Sequence, residues 1–251
     1  MLHVAYPLVN AGYKVRVLDM RLDDYHTFKL GNPLFVGIGT MSGFQIRFAL
    51  EFAKKVRQEL PSCPIVWGGV HPSLLPEQTV ANPFVDVVVR GEAEPVMTEL
   101  AKSFSEGKPL DNVSGLTYKL EGQIRNTPDS KPIDLDSIPI ELPYDLLQLN
   151  KYSSHRAGRF HIQTSRGCPH RCGYCYNMLF NKCGWRGKSA GRLLDEIQFI
   201  LEKYPHVKVI DPIDDNFFVN RKRIEDFCTG LIERKINVKW RADCRFDYLA
   251  N

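Results

Sequence analysis

The chain has 251 residues, of which 43% are hydrophobic and 25% are charged. These fractions are typical of folded globular proteins and exclude a chain that is disordered throughout. No apolar run approaches the ~20 residues that a membrane helix needs, which argues against a protein that spans a membrane. The formal net charge is only +4, so the overall charge indicates no particular class of partner.

The chain contains seven cysteines, and its N-terminus lacks the basic segment and apolar run of a secretion signal. An odd number of cysteines without such a signal argues against a disulfide framework and predicts a reducing, cytoplasmic compartment. Three of the seven lie within eight residues of one another, at positions 168, 172 and 175. This cluster is the strongest candidate for chemistry in the chain.

The N-terminal half alternates short apolar runs with helical patterns. Strands are predicted at residues 14–18, 34–38, 64–67 and 85–89, and helices at residues 48–60 and 92–104. This alternation predicts a doubly wound parallel sheet of the α/β class, which binds ligands at the carboxyl ends of its strands. Because the chain opens on a helical pattern at residues 2–10, we expect the first strand of that sheet to be missing from it.

The pattern changes after about residue 107. A small hairpin is predicted around Glu121 and Gly122, and four prolines between residues 128 and 143 indicate a linker. A βαβαβ pattern then follows, with strands at 160–164, 207–210 and 238–240 and with Ser189 as the N-cap of the first helix. A complete α/β barrel takes ~200 residues. We therefore expect a Rossmann-like domain at 1–130, a linker at 131–155 and an incomplete, truncated barrel at 156–251.

The three clustered cysteines, Cys168, Cys172 and Cys175, have the spacing C-x3-C-x2-C and follow the first predicted barrel strand. Three thiolates on one tight loop can hold three corners of a [4Fe–4S] cluster and leave the fourth iron open. The alternative is a structural zinc site whose fourth ligand would be Cys183 or His170. Zinc sites usually pair two C-x2-C units and the sequence has no second unit, so the spacing favours iron and sulfide.

The cysteine loop, with Tyr174 directly before its last cysteine, resembles the signature of radical S-adenosylmethionine (SAM) enzymes. In that family the SAM amino and carboxylate groups chelate the open iron, and one electron from the cluster cleaves SAM to methionine and a 5′-deoxyadenosyl radical. The family fold is a full or partial α/β barrel. The resemblance implies SAM-contacting groups at Tyr174, at Asp214 and Asp215, and at Arg245. Their structural alternatives are a turn cap for Asp214 and a surface charge for Arg245.

Several segments resemble the branch of this family that carries a cobalamin (B12)-binding domain. They include Ser165–Gly167 before the first cysteine and Tyr176-Asn177 after the last. In the N-terminal sheet, the loops after three successive strands resemble the B12-contacting loops of that branch, which implies cofactor contacts at Thr40, Met41, Ser42, Gly43, Gly68, Gly69, His71, Arg90, Gly91 and Glu92. No D-x-H-x-x-G sequence occurs, and we do not expect His71 to be a cobalt ligand. No G-x-G-x-x-G occurs either, so a dinucleotide is not favoured.

Charge is unevenly distributed around the cysteine loop. Residues 151–192 contain nine Lys and Arg and no Asp or Glu. Such cations would stabilise an anionic, reduced cluster and its bound SAM. The alternatives are a stripe that binds RNA and a solvated face.

The sequence thus predicts a radical SAM enzyme with three cofactors, a [4Fe–4S] cluster, SAM and cobalamin. The expected reaction is cobalamin-dependent methyl transfer to an unactivated carbon of a small-molecule substrate. The resemblance also implies a reductant such as flavodoxin or ferredoxin. A nucleic acid is not the expected partner, and no membrane span is expected. Three alternatives stay open: a cyclase or oxidoreductase of the same branch, a tRNA-modifying iron–sulfur protein, and a cofactor-binding module without turnover.

Overall fold

A computed structural model describes residues 1–248 and divides the chain into two compact units, Met1–Ile133 and the residues from Asp134 onward. Most of the expected linker lies inside the second unit. Leu135 and Tyr144, each at the start of a short 3-10 turn, and Ile138 between these turns are buried there. The prolines of this segment therefore separate buried apolar residues, which a reading of composition alone does not reveal.

The first unit contains a mixed sheet with helices on both faces. In chain order its elements are α1 (Leu2–Asn10), β1 (Val36–Gly39), α2 (Gln45–Glu59), β2 (Ile65–Gly68), α3 (Val70–Leu74), α4 (Pro76–Ala81), β3 (Val87–Val89), α5 (Met97–Glu106), β4 (Leu116–Leu120) and β5 (Gln123–Asn126). The strands follow the order β1-β2-β3-β4-β5, and the first three are parallel. The predicted hairpin is present, and it extends this sheet through antiparallel pairing of β4 with β3.

The core of the first unit follows the alternation of side chains along its strands. On one face, Phe52 and Val56 of α2 pack against Ile65, Trp67 and Val88. On the other face, Val66, Val87 and Val89 pack against α5 through Leu100. Each large side chain buried in this way stabilises the fold by about 1.5–3 kcal/mol. The predicted α/β class with a doubly wound parallel sheet is confirmed.

One predicted strand is wrong. Residues 14–18 form no strand and pair with none of the strands in the described residues. Val15 and Leu18 instead pack against two different apolar clusters. The apolar residues of this segment are therefore partly buried one by one in separate clusters, and an alternating pattern in so short a segment does not by itself establish a strand.

The second unit repeats the alternation of strand and helix. In chain order its elements are α6 (Ser153–Arg156), β6 (Arg159–Ile162), β7 (Ser165–Gly167), α7 (Asn177–Phe180), β8 (Trp185–Gly187), α8 (Ala190–Lys203), β9 (Val209–Pro212), α9 (Arg221–Glu233) and β10 (Lys239–Trp240). Strands β6, β9 and β10 form a parallel sheet in the order β10-β9-β6. The predicted βαβαβ pattern is confirmed, and Ser189 caps α8 by accepting a hydrogen bond from the Arg192 N–H.

A two-stranded antiparallel ribbon, β7 with β8, was not predicted. It pairs Ser165 with Gly187 and Gly167 with Trp185, so it closes the chain segment that carries the three cysteines. Each strand has only three residues, which is too short for a periodic pattern to identify. Within residues 1–248, no helix has the length and hydropathy required to cross a bilayer.

An aromatic cluster at the amino end of β6 makes the stability of the second unit sensitive to pH. His155 packs against Phe160, Tyr204 and His206, and its Nδ1 is buried without a hydrogen-bond partner in the described residues. Burial, and secondarily the nearby His206, lower the pKa of His155. The unfolded chain takes up this proton near pH 6.5, its ordinary value, whereas the folded chain resists protonation.

We therefore expect the free energy of unfolding to fall as the pH falls from about 7 to about 5, because the unfolded state then binds more protons than the folded state. Urea unfolding across this range should show a smaller decrease for His155→Phe. The same substitution at the exposed His26 is the control. Equal pH dependence in His155→Phe and the parent chain would contradict this assignment.

Candidate functional site

The three clustered cysteines lie on one loop at the carboxyl end of the parallel sheet in the second unit. The loop begins with Cys168, directly after β7, and Cys168 is buried while Cys172 and Cys175 are half-buried. The Cys175 N–H donates to the Cys172 carbonyl at 2.9 Å, which forms a tight turn between these two residues. This end of an α/β barrel is where active sites occur.

Two side chains donate hydrogen bonds to the cysteine sulfurs. Asn216 Nδ2 lies 3.9 Å from Cys168 Sγ, and Arg245 Nη1 lies 3.5 Å from Cys172 Sγ. Donors of this kind stabilise thiolates and tune the potential of a cluster bound to them. The resemblance implies SAM contacts in the segment after the second barrel strand, to which Asn216 belongs, but it does not predict the contact between Asn216 and a cysteine sulfur.

The thiols of this loop are free, and their chemistry fits a metal cluster. None of the cysteines is in a disulfide. In the part of the chain that the structure describes, no three His, Cys, Asp or Glu side chains are already gathered as ligands of a single metal ion. Three thiols on one loop, two with donors at their sulfurs, suit an iron–sulfur cluster that the thiolates share. For the zinc alternative, His170 Nε2 lies 2.9 Å from the Tyr248 hydroxyl, so a zinc ion would bind through the other ring nitrogen, Nδ1, or displace this contact.

Asp214 is buried and holds the backbone at the end of β6. Its carboxylate accepts hydrogen bonds from the Thr164 N–H at 2.7 Å, the Ser165 N–H at 2.9 Å and both of their hydroxyls. Both carboxylate oxygens are thus engaged in fixing the start of the ribbon that carries the cysteine loop. A contact between Asp214 and SAM stays a prediction.

Asp215 and Tyr176 meet beside the same loop. Asp215 accepts hydrogen bonds from the Gly167 N–H at 3.0 Å and from the Tyr176 hydroxyl at 2.6 Å. Burial, reinforced by this carboxylate, raises the pKa of Tyr176, so that its hydroxyl stays a donor at physiological pH. Tyr174, by contrast, is 94% exposed and free to contact a bound molecule.

A buried polar network lies behind the loop. Arg223 donates to the Thr164 hydroxyl at 2.8 Å and to the Lys188 carbonyl at 2.6 Å. Lys188 forms an ion pair of 2.5 Å with Glu196, and both side chains are almost fully buried. Burial lowers the pKa of Arg223. This network supports the ribbon from the side of the helices.

The network changes the interpretation of the basic stretch at 151–192. Lys188 is neutralised by Glu196, and Arg159 donates two hydrogen bonds to Asp211, at 2.9 and 3.1 Å. At least two of the nine cations are therefore committed to acids that lie outside the stretch. Arg245, further along the chain, lies within hydrogen-bond distance of a loop sulfur.

In the first unit, the segments after β1, β2 and β3 meet at the carboxyl edge of the sheet. The Thr40 N–H donates to the Gly68 carbonyl at 3.0 Å, and Ser42 Oγ lies 3.2 Å from His71 Nδ1. The Ser73 hydroxyl, which sequence reasoning missed, donates to the Gly69 carbonyl and accepts from the Gly91 N–H. The three predicted loops thus form one connected edge.

Gly69 fits this edge because it has no side chain. Its φ is +97°, and a Cβ there would lie 2.8 Å from the Thr40 carbonyl oxygen. Met41 is exposed and Gly43 also has a positive φ, as expected for a loop open to a ligand.

Two of the residues predicted to contact cobalamin, Arg90 and Glu92, use their side chains in hydrogen bonds within the first unit. The Arg90 guanidinium points toward the hairpin, where it donates hydrogen bonds to the Thr117 hydroxyl at 2.7 Å and to the carbonyls of Leu116 and Thr127. Glu92 accepts a hydrogen bond from the Ile133 N–H at 2.9 Å. These contacts give both residues a role in attaching the hairpin segment, and their contact with cobalamin stays a prediction.

Known proteins resemble this chain in both of its units. Residues 1–101 match the family model described as B12 binding domain. The chain is 32% identical over 249 residues to an uncharacterized methyltransferase of Pyrococcus horikoshii, covering 95% of this chain and 53% of the relative. It is 29% identical to the anaerobic magnesium-protoporphyrin IX monomethyl ester cyclase of Synechocystis, covering 98% of this chain and 51% of that protein. The chain thus spans about half the length of these relatives.

Solved structures show the same architecture. The cobalamin-dependent S-adenosylmethionine radical enzyme OxsB, with aqua-cobalamin and SAM bound, matches 86% of this chain with a TM-score of 0.71 and 26% identity, over 31% of its own length. The fold of the radical SAM methyltransferase TsrM from Kitasatospora setae matches 93% of this chain and 48% of that protein, with a TM-score of 0.71 and 19% identity. Together with the cysteine loop and the B12-binding domain, these matches mean that the chain belongs to the radical SAM family whose members carry a cobalamin-binding domain.

Proposed function

We propose that this chain forms part of an enzyme that transfers a methyl group to an unactivated carbon of a small-molecule substrate by cobalamin-dependent radical SAM chemistry. The observation that carries the proposal is the loop of three free cysteines at the carboxyl end of β6, with donors at two of its sulfurs. The first unit adds a B12-binding domain, and OxsB, which the chain resembles at 26% identity, is described with cobalamin and SAM bound.

Cys168, Cys172 and Cys175 would hold a [4Fe–4S] cluster whose open iron binds SAM, and the edge around Gly69 would hold cobalamin. When bound, these groups supply the electron that cleaves SAM to the 5′-deoxyadenosyl radical and a transferable methyl group. The protein contributes position and electrostatics. Asn216 and Arg245 donate to thiolate sulfurs, which offsets their negative charge, and Asp214 fixes the backbone that leads into the loop.

A cyclase of the same branch is the second candidate, because a relative that matches 98% of this chain is a magnesium-protoporphyrin ester cyclase. We favour methyl transfer because the relative of 32% identity is described as a methyltransferase. Neutralisation of Lys188 and Arg159 weakens the case for an RNA-binding stripe. A reducing cytoplasm and a flavodoxin or ferredoxin as electron donor complete the proposal.

Two variants separate the two cofactor sites. We expect Cys172→Ala, reconstituted anaerobically with iron and sulfide, to lose the electron paramagnetic resonance (EPR) signal of a reduced [4Fe–4S] cluster. The parent chain should show that signal, and added SAM should shift it. Cys172→Ala should still bind hydroxocobalamin as the parent does, because its substitution lies outside the B12-binding domain.

Gly69→Ala should behave in the opposite way. The new Cβ would press on the Thr40 backbone, so hydroxocobalamin affinity should fall by about fivefold or more, since a steric change of this kind costs about 1–3 kcal/mol. The cluster signal should be unchanged. Stoichiometric zinc uptake without any cluster signal in the parent chain would refute the proposed chemistry.

A further inference from the structure

The segment after β9 contacts the cysteine loop at several points. Asp215 accepts one hydrogen bond from Gly167, the residue just before Cys168, and another from Tyr176, the residue just after Cys175. The next residue, Asn216, donates to the Cys168 sulfur. A single carboxylate therefore joins the two ends of a loop that spans residues 167–176.

Each oxygen of Asp215 has a different partner. Oδ2 accepts from the Gly167 N–H at 3.0 Å, and Oδ1 accepts from the Tyr176 hydroxyl at 2.6 Å. Hydrogen bonds to a carboxylate are shorter and stronger than those between neutral groups. The contacts need no metal, so the chain itself can hold this loop closed before a cluster is present.

We propose that Asp215 and Tyr176 are positioning residues that clamp the cysteine loop and preorganise its three thiols for the cluster. The proposal rests on the proposed function in that the loop's ligand is taken to be an iron–sulfur cluster. The clamp acts by lowering the conformational entropy that cluster binding removes from the loop. Neither residue touches the cluster's irons in this role.

The chain offers a graded set of variants. Asp215→Ala removes both hydrogen bonds and Tyr176→Phe removes one. Asp215→Asn keeps both, because its carbonyl accepts from Gly167 while its amide donates to the Tyr176 oxygen. Asp226→Ala and Tyr204→Phe are matched controls in the same unit, since Asp226 pairs with Lys222 on α9 and Tyr204 belongs to the aromatic cluster.

The first measurement needs no cofactor. In the apo-protein, hydrogen exchange of the Gly167 amide and of residues 168–176 should be about tenfold faster in Asp215→Ala, in proportion to the loss of charge-assisted hydrogen bonds. Tyr176→Phe should show a smaller increase, outside the Gly167 amide itself. Asp215→Asn should lie between Asp215→Ala and the parent chain, because it keeps both hydrogen bonds without their charge, and both controls should match the parent.

The second measurement uses the reconstituted protein. Iron release to bathophenanthroline disulfonate should be about tenfold faster in Asp215→Ala, and the EPR line shape of the SAM-free cluster should broaden. Asp215→Asn should restore much of both, because it keeps the two hydrogen bonds in neutral form. A residue that only stabilises the fold would lower the unfolding midpoint without changing the line shape.

Three outcomes would overturn the clamp. In the first, amide exchange and iron release in Asp215→Ala equal those of the parent chain. In the second, Asp215→Asn is impaired as much as Asp215→Ala. In the third, Asp215→Ala changes only the EPR shift that SAM induces. The last result would instead make Asp215 a SAM contact. If the parent takes up no cluster but the apo-protein exchange changes as expected, the clamp stands and the proposed function fails.

Discussion

Replacing Lys188 by methionine should reduce the free energy of unfolding of the second unit by about 3–5 kcal/mol, because it leaves Glu196 as an uncompensated buried charge. The two side chains are 2% and 3% exposed and lie 2.5 Å apart. At this burial neither charge has access to water, so each is stabilised chiefly by the other. Loss of one partner therefore costs far more than the loss of an ion pair on the surface.

The double variant Lys188→Met/Glu196→Leu should recover most of that loss, since an apolar pair carries no desolvation cost. The control is Arg221→Met, which breaks the exposed ion pair with Glu225 and should cost far less, because solvent screens that pair. Urea unfolding followed by tryptophan fluorescence in a Trp67→Phe background isolates the second unit, which contains Trp185 and Trp240. A loss in Lys188→Met as small as that in Arg221→Met would contradict the prediction.

This ion pair also illustrates what the sequence could reveal. Helical periodicity places Leu193, Ile197 and Ile200 on one apolar stripe of α8, and all three are buried. Glu196 lies three residues after Leu193, on the same face, so it interrupts the stripe with a charge. That interruption was a usable signal that a cation elsewhere must pair with it. The basic stretch at 151–192 ends before Glu196, so the charges within that stretch alone do not reveal the partner of Lys188.

The chemistry of the site was easier to predict than its supports. The spacing of three cysteines is local, so one segment of sequence reveals it. The contacts of Asp214, Asp215 and Asn216 join residues about fifty positions apart, and their partners include backbone N–H groups. No residue pattern encodes such pairing, because every non-proline residue carries the same N–H donor. The sequence therefore located the site, whereas the structure was required to identify the residues that hold it in place.

A second large effect is expected at Gly167, directly before the first cysteine. Its φ is +85°, and a Cβ there would lie 2.1 Å from the carbonyl oxygen of Gly184, on the far side of the ribbon. Gly167→Ala should therefore open the ribbon and prevent the loop from closing. The left-handed backbone costs about 1–2 kcal/mol for a residue with a side chain, and displacing a neighbouring group costs about 1–3 kcal/mol more.

A penalty of that size lowers the population of the closed loop by at least about tenfold. We expect Gly167→Ala to retain little iron or acid-labile sulfide after reconstitution and to show fast exchange of the Trp185 amide region in the apo-protein. Gly173→Ala is a control inside the same loop, because a Cβ at Gly173 meets no atom within 4 Å and its φ is not positive. A Gly167→Ala protein that binds as much iron as Gly173→Ala would show that the ribbon geometry is dispensable for the centre. If Gly167→Ala binds much less iron than Gly173→Ala, iron binding requires the backbone geometry of the ribbon as well as the cysteine side chains. Neither variant changes a candidate ligand.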